Sequence, residues 1–228
     1  MMKRARISAV DGLGCGLLAM LAALASVAPG QAQQFSAELT RSQHGITAAA
    51  GRLNVSGDKA RIESADFPDG FFLIDNAKPA AYFVRPAQAV FMDARQSTLL
   101  TRLFVPLDPD NPCRDWQKMA VIAGLAEQGD WRCESAGVET IEAHATTAYR
   151  ATPAVGRPFI GWIDRARRFP LKITTDDGTT ISAENVRDQQ QPASLFELPK
   201  GARKFDPQAL IEQIKHSDVW VAAPDPAP

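Results

Sequence analysis

The stretch Gly51-Arg52-Leu53-Asn54-Val55-Ser56-Gly57-Asp58-Lys59-Ala60-Arg61-Ile62-Glu63-Ser64 decides the fold class. Leu53 and Val55 alternate with polar neighbours, the period of a strand with one buried face. Gly57-Asp58 then turns the chain into a second short run, Lys59–Ser64, which is a hairpin signal. Before it, Phe35, Ala37 and Leu39 alternate with Ser36, Glu38 and Thr40. After it, Phe71-Phe72-Leu73-Ile74 is apolar on both faces and Asp75-Asn76-Ala77-Lys78-Pro79 makes the next turn. Ala81-Tyr82-Phe83-Val84 returns, Arg85-Pro86-Ala87 interrupts, and residues 88–92 resume. Connections this short leave no room for crossover helices, so the predicted sheet is an antiparallel meander.

The middle of the chain changes character. Ser97-Thr98-Leu99-Leu100-Thr101-Arg102-Leu103-Phe104 predicts a short helix stopped by Pro106, and Asp108-Pro109-Asp110-Asn111-Pro112 is a loop by composition. From Arg114 to about Glu127, Trp116, Met119, Ala120 and Ala123 recur at i, i+3, i+4 and i+7, one face of a helix. Strands are predicted again at 140–142, 147–152, 159–164, 171–174 and 180–186, the last two joined through Asp176-Asp177-Gly178. Asp206-Pro207 is a cap with proline in the first helical turn, and Leu210, Ile211 and Ile214 form the stripe of a terminal helix. No repeat or linker divides residues 33–221, which are read as a single domain ahead of a flexible Pro-rich tail at 222–228.

Residues 1–32 carry the three parts of a secretory signal peptide. Lys3, Arg4 and Arg6 give a positive start, an apolar core is densest over residues 17–24, and Gly30-Gln31-Ala32 supplies small residues at the cleavage site. The apolar run is shorter than the roughly 20 residues a membrane-spanning helix needs. Cys15 precedes the apolar core instead of following it, so no lipid-attachment site is expected there. The reading is of a protein free in the periplasm of a Gram-negative-type bacterium, not membrane-spanning after cleavage and monomeric. Removing Lys3, Arg4, Arg6 and Asp11 from the 25 basic and 26 acidic residues leaves a small acidic excess. Such a chain has no positive field to draw nucleic acid. Two cysteines remain, Cys113 and Cys133, and in an oxidising compartment an even pair predicts a disulfide. It would bracket the expected helix at 114–127.

The order of elements and a set of short motifs resemble the periplasmic outer-membrane lipoprotein carriers and their relatives. The motifs are Phe35-Ser36-Ala37-Glu38-Leu39, Gly51-Arg52-Leu53 leading into Lys59-Ala60-Arg61-Ile62-Glu63, and Phe72-Leu73-Ile74-Asp75. Then come Ala81-Tyr82-Phe83-Val84-Arg85-Pro86, Gly161-Trp162-Ile163-Asp164, Phe169-Pro170-Leu171-Lys172-Ile173 and Leu195-Phe196-Glu197-Leu198-Pro199. The resemblance implies an α+β fold, a curved antiparallel half-barrel closed by short helices over an apolar cavity that takes acyl chains. No position matches the family's lid arginine. The Cys113–Cys133 pair and residues 206–220 are particular to this chain.

Signatures of catalysis are absent: there is no GxSxG, HExxH, GxxxxGK[ST] or GxGxxG. His44, His144 and His216 stand far apart, and Asp108, Asp110 and Asn111 lack the glycine and bidentate glutamate of a calcium loop. A non-enzyme without cofactor or metal is expected. Two features are candidates for binding. The strands around Phe72, Ile74, Tyr82, Phe83, Phe91 and Met92 are apolar on both faces, where a sheet with one wet face alternates. Either a ligand cavity lies on one side, with Trp116 and Met119 of the covering helix as its lid, or both sides are filled by protein. Arg157, Arg165, Arg167 and Arg168 form a basic cluster that is either a contact for lipid phosphates or an acidic partner, or a solvated hairpin turn. The expected partner is an apolar ligand (a lipid, an acyl chain or a lipoprotein). The alternative is an envelope protein that docks on a scaffold with a filled core and no ligand.

Overall fold

The computed structural model describes residues 33–94, 98–125 and 129–215. The predicted export segment and the Pro-rich tail lie outside them.

Alternation sets the strands. In β1 (Gln34–Gln43) Phe35, Ala37 and Leu39 are buried, and in β2 (Ile46–Ser56) Leu53 and Val55 are. The turn between them, His44-Gly45, holds both residues at positive φ, 51° and 79°. That is the two-residue hairpin geometry whose twist matches the flanking strands. The strand starts five residues before the alternation that begins at Gly51, a start the sequence marks only weakly because a histidine occupies the first turn position. Ala50 is an extra residue opposite Leu39 and Thr40, and Gly51 follows it at φ +146°. A side chain at Gly51 would stand 2.0 Å from the Glu63 carbonyl oxygen, so this β-bulge requires glycine.

The meander continues through β3 (Lys59–Ser64), β4 (Phe71–Asp75), β5 (Ala80–Arg85) and β6 (Val90–Asp93). Two helices follow, α1 (Leu99–Leu103) and α2 (Pro112–Ile122). A second meander comprises β7 (Arg132–Ile141), β8 (His144–Thr152), β9 (Phe159–Asp164), β10 (Phe169–Thr175) and β11 (Thr180–Asp188). Last come β12 (Arg203–Lys204) and α3 (Pro207–Lys215). The expected helix at 114–127 starts two residues earlier, because Pro112 occupies its first position, where a missing N–H costs nothing. Asp206 caps α3 as expected, its Oδ1 accepting from the Gln208 and Ala209 N–H groups at 2.9 and 3.3 Å. Ile211 on that helix is exposed; the side chains of Leu210 and Ile214 lie outside the described set.

The twelve strands among the described residues form one curved, unclosed sheet in the order β12-β6-β5-β4-β3-β2-β1-β11-β10-β9-β8-β7. Every pairing is antiparallel except β12 with β6. The two meanders join through β1 and β11. Hence β6 and β7, consecutive in sequence, lie at opposite sides of the sheet, and the segment joining them carries α1 and α2 across one face. This is the half-barrel of an α+β fold. Leu100, Leu103, Phe104, Val105, Leu107, Trp116 and Met119 from that segment form one core with Phe35, Leu53, Ile62, Phe72, Ile74, Phe159, Ile163, Phe169 and Ile173. A smaller cluster of Phe71, Leu73 and Val84, with Tyr82 and Phe91, occupies the opposite face of β4–β6. The two-sided apolar strands therefore serve two separate clusters.

Candidate functional site

Helix α1 is only five residues long, and its start is held by Thr98, whose Oγ1 accepts from the Leu100 N–H at 3.2 Å. Its Leu99, Arg102 and Leu103 face a cleft of about 450 Å³. Ala120 and Leu125, at the end of α2 and just beyond it, continue the same wall with Trp131. The floor and far side come from Pro153, Val155, Gly156, Arg157, Pro158 and Phe159, and from Thr175 at the end of β10 with Asp176 and Asp177 in the turn after it. The cleft thus opens at one end of the layer between helices and sheet. Its volume falls in the range of small-molecule sites.

Aromatic stacking shapes the wall. Phe159 meets Trp116 edge-on at 5.0 Å and Trp131 at 6.0 Å. Trp116 is wholly buried behind it and donates from Nε1 to the Leu103 carbonyl at 3.0 Å. Gly161 makes room for that indole: a Cβ there would stand 2.6 Å from Trp116 Cη2. The wall next to the cleft is also covalently tied. Cys113 in the first turn of α2 is bonded to Cys133 in β7, with Cα atoms 5.7 Å apart. The bridge joins the start of the helix to an edge strand; it does not join the two ends of the helix.

The mouth is charged. Arg157 pairs with Asp176 at 3.5 Å, with the Arg157 side chain 76% exposed. Asp177 accepts from Thr175 Oγ1 at 2.6 Å and from the Thr179 N–H at 2.9 Å. These hydrogen bonds, Thr175 first, with the positive charge of Arg157 behind them, lower its pKa to about 2. Asp177 is an anion at any ordinary pH.

The structure places the sequence candidates elsewhere. Phe72, Ile74, Trp116 and Met119 are at most 2% exposed within the main core. Phe83 lies partly buried against that core, 5.0 Å from Phe72, and Met92 sits opposite it in the β5–β6 register. Tyr82 and Phe91 stack edge-on at 5.4 Å in the cluster on the other face. None of these eight lines the cleft. Of the four arginines, only Arg157 reaches it. Arg165, Arg167 and Arg168 occupy the hairpin turn at the far end of β9, six residues or about 20 Å of strand away. Arg165 binds Asp110, which raises its pKa. Arg167 is 10% exposed and bonded to Asp164, Asp188 and the His144 Nδ1. Burial alone would lower its pKa, but the two carboxylates raise it. Among the described residues, no group of three His, Cys, Asp or Glu is placed to hold a metal ion. Leu99, Leu103, Trp131, Val155 and Phe159 were not singled out in the sequence. The one available signal was the loop Pro153-Ala154-Val155-Gly156-Arg157-Pro158, which presents a valine 61% exposed between two prolines.

No family model matches the sequence, and no curated protein matches it. Solved structures similar in fold include an uncharacterised conserved protein from Thermus thermophilus, 11% identical over 76% of this chain and 90% of that one, with a TM-score of 0.43. They also include the MucA/MucB complex of Pseudomonas aeruginosa, 11% identical over 75% of this chain, with a TM-score of 0.40; this chain spans 57% of that one. A domain from Vibrio parahaemolyticus described as an outer membrane lipoprotein-sorting protein is 13% identical over 72% of this chain and 89% of that one, with a TM-score of 0.34. All three TM-scores are below 0.5. No helix among the described residues is long and apolar enough to cross a membrane.

Proposed function

We propose that this chain is an exported, non-enzymatic binding protein that holds an apolar ligand, an acyl chain of a lipid or lipoprotein, in the cleft between α1, Trp131 and the loop 153–158. The observation that carries the reading is the cleft itself: about 450 Å³ walled by Leu99, Leu103, Leu125, Trp131, Val155 and Phe159, with charge confined to Arg102, Arg157, Asp176 and Asp177. Burying apolar ligand surface there gains about 25 cal/mol per Å² before the costs of association. Residues 1–32 are read as the export signal and 33–221 as the functional domain. Native mass spectrometry of protein purified from its own envelope tests both: the expected mass is that of a chain beginning at Gln33 plus a bound lipid. A fluorescent fatty acid probe is expected to bind the delipidated protein and to be lost in Leu103→Glu. A ligand-free mass together with no probe binding overturns the reading.

The filled face beneath α1 and α2 favours a second reading, an envelope interaction protein without a ligand. In that case a stoichiometric protein partner co-purifies and the fatty acid probe finds no site.

A further inference from the structure

The mouth of the cleft carries both signs of charge, and their arrangement selects among amphiphiles. Arg157 faces two carboxylates, Asp176 at 3.5 Å and Asp177, whose ionised form it also stabilises. The Arg157–Asp176 pair is longer than a charge-assisted hydrogen bond of about 2.7–2.9 Å. With the arginine 76% exposed it is weak, so its partners are open to exchange. Both ends are presented by short anchored segments: Arg157 from the loop between Pro153 and Pro158, and Asp176 from a turn closed by the Gly178 N–H on the Thr175 carbonyl at 3.0 Å. Directly behind them the wall turns apolar at Phe159, Val155 and Leu103.

We infer that the ligand is an amphiphile with a zwitterionic head group, its phosphate on Arg157, its ammonium between Asp176 and Asp177, and its acyl chain along Leu103, Trp131 and Phe159. This rests on the binding reading above. A purely anionic head, a fatty acid or a phosphate without an amine, brings its charge toward Arg157 but also toward the two carboxylates beside it. A purely cationic head meets Asp176 only by opposing Arg157. A head bearing both charges replaces one long ion pair by two short ones, and leaves neither carboxylate nor guanidinium without a counter-charge.

Displacement of a bound fluorescent fatty acid by single-chain lipids of equal length tests the inference. Lysophosphatidylethanolamine is expected to displace the probe at about fivefold lower concentration than lysophosphatidylglycerol, the worth of one exposed ion pair. The double variant Asp176→Asn with Asp177→Asn is expected to abolish that preference, and Arg157→Gln to weaken both lysolipids while leaving an uncharged fatty alcohol unaffected. Phosphoethanolamine without a chain is expected to leave the probe in place at millimolar concentration. Equal displacement by the two lysolipids in the wild-type protein overturns the inference and leaves the acyl-chain reading standing. Displacement by phosphoethanolamine as effective as by the lysolipid also overturns it. A wild-type protein that binds no probe and carries no lipid in its native mass overturns both.

Discussion

Gly161 and Trp116 show how much rests on one pair of residues. The indole is fully buried, bonded to the Leu103 carbonyl and edge-on to Phe159, so it has no second position to take. A methyl group at Gly161 would meet Trp116 Cη2 at 2.6 Å, Cζ2 at 2.8 Å and Ile173 Cδ1 at 3.0 Å. Gly161→Ala is therefore expected to lower stability by about 1–3 kcal/mol, as overpacking of a filled core does. Urea unfolding checks this, and an unchanged midpoint would show that the indole moves freely. Sequence alone exposed the motif Gly161-Trp162-Ile163-Asp164 but not this partner, because Trp116 lies 45 residues away in another element. The same holds for the arginines at 165–168. They read either as a basic contact patch or as a solvated hairpin turn, yet Arg165 is engaged by Asp110 in a distant loop, and Arg167 by Asp188 at the end of β11 as well as by its neighbour Asp164.

At the scale of elements, alternation was the legible signal: Phe35, Ala37, Leu39, Leu53 and Val55 all point inward as their spacing required. Helix α2 was legible from its apolar face, and its partner in the disulfide from the count of cysteines. The place of the bridge was not, since β7 is nearly all exposed and gives a weak strand pattern before residue 140. Cys113 and Cys133 stand 20 residues apart. Replacing both by serine is expected to cost about 3 kcal/mol, the loop-closure entropy returned to the unfolded chain. Denaturant midpoints of the oxidised protein and the double variant measure it. Equal midpoints would mean that other contacts hold α2 in place, among them the Gln117 Nε2 hydrogen bond to the Gly129 carbonyl, just ahead of β7, at 2.8 Å.

The whole molecule manages its sheet unevenly. After β11 the chain leaves the sheet beside β1, where the Gln189 N–H donates to the Gln34 carbonyl, and returns as β12 along β6. On the way it meets the outer face, where Arg61 reaches the Leu195 carbonyl at 3.5 Å and covers the Phe71 ring at 3.5 Å. This strap screens the smaller apolar cluster and occupies the β6 edge, a site otherwise open to another strand. A chain ending at Gln191 is expected to keep its main core, which lies on the other face, and to associate with itself as concentration rises. Light scattering after size exclusion, against the full chain, reads this; concentration-independent behaviour would show the strap is dispensable. By itself the sequence determined that the protein is a β-meander with a short helical insertion, since side-chain periodicity is local chemistry written residue by residue. Where the cleft lies was decided only in three dimensions. Phe72, Ile74, Trp116 and Met119 have the composition of a cavity wall, but the segment between β6 and β7 must cross the sheet and fills that face. The space is left at the end of the layer instead, among Leu99, Trp131, Phe159 and Asp176, residues from four segments that only the folded sheet brings together.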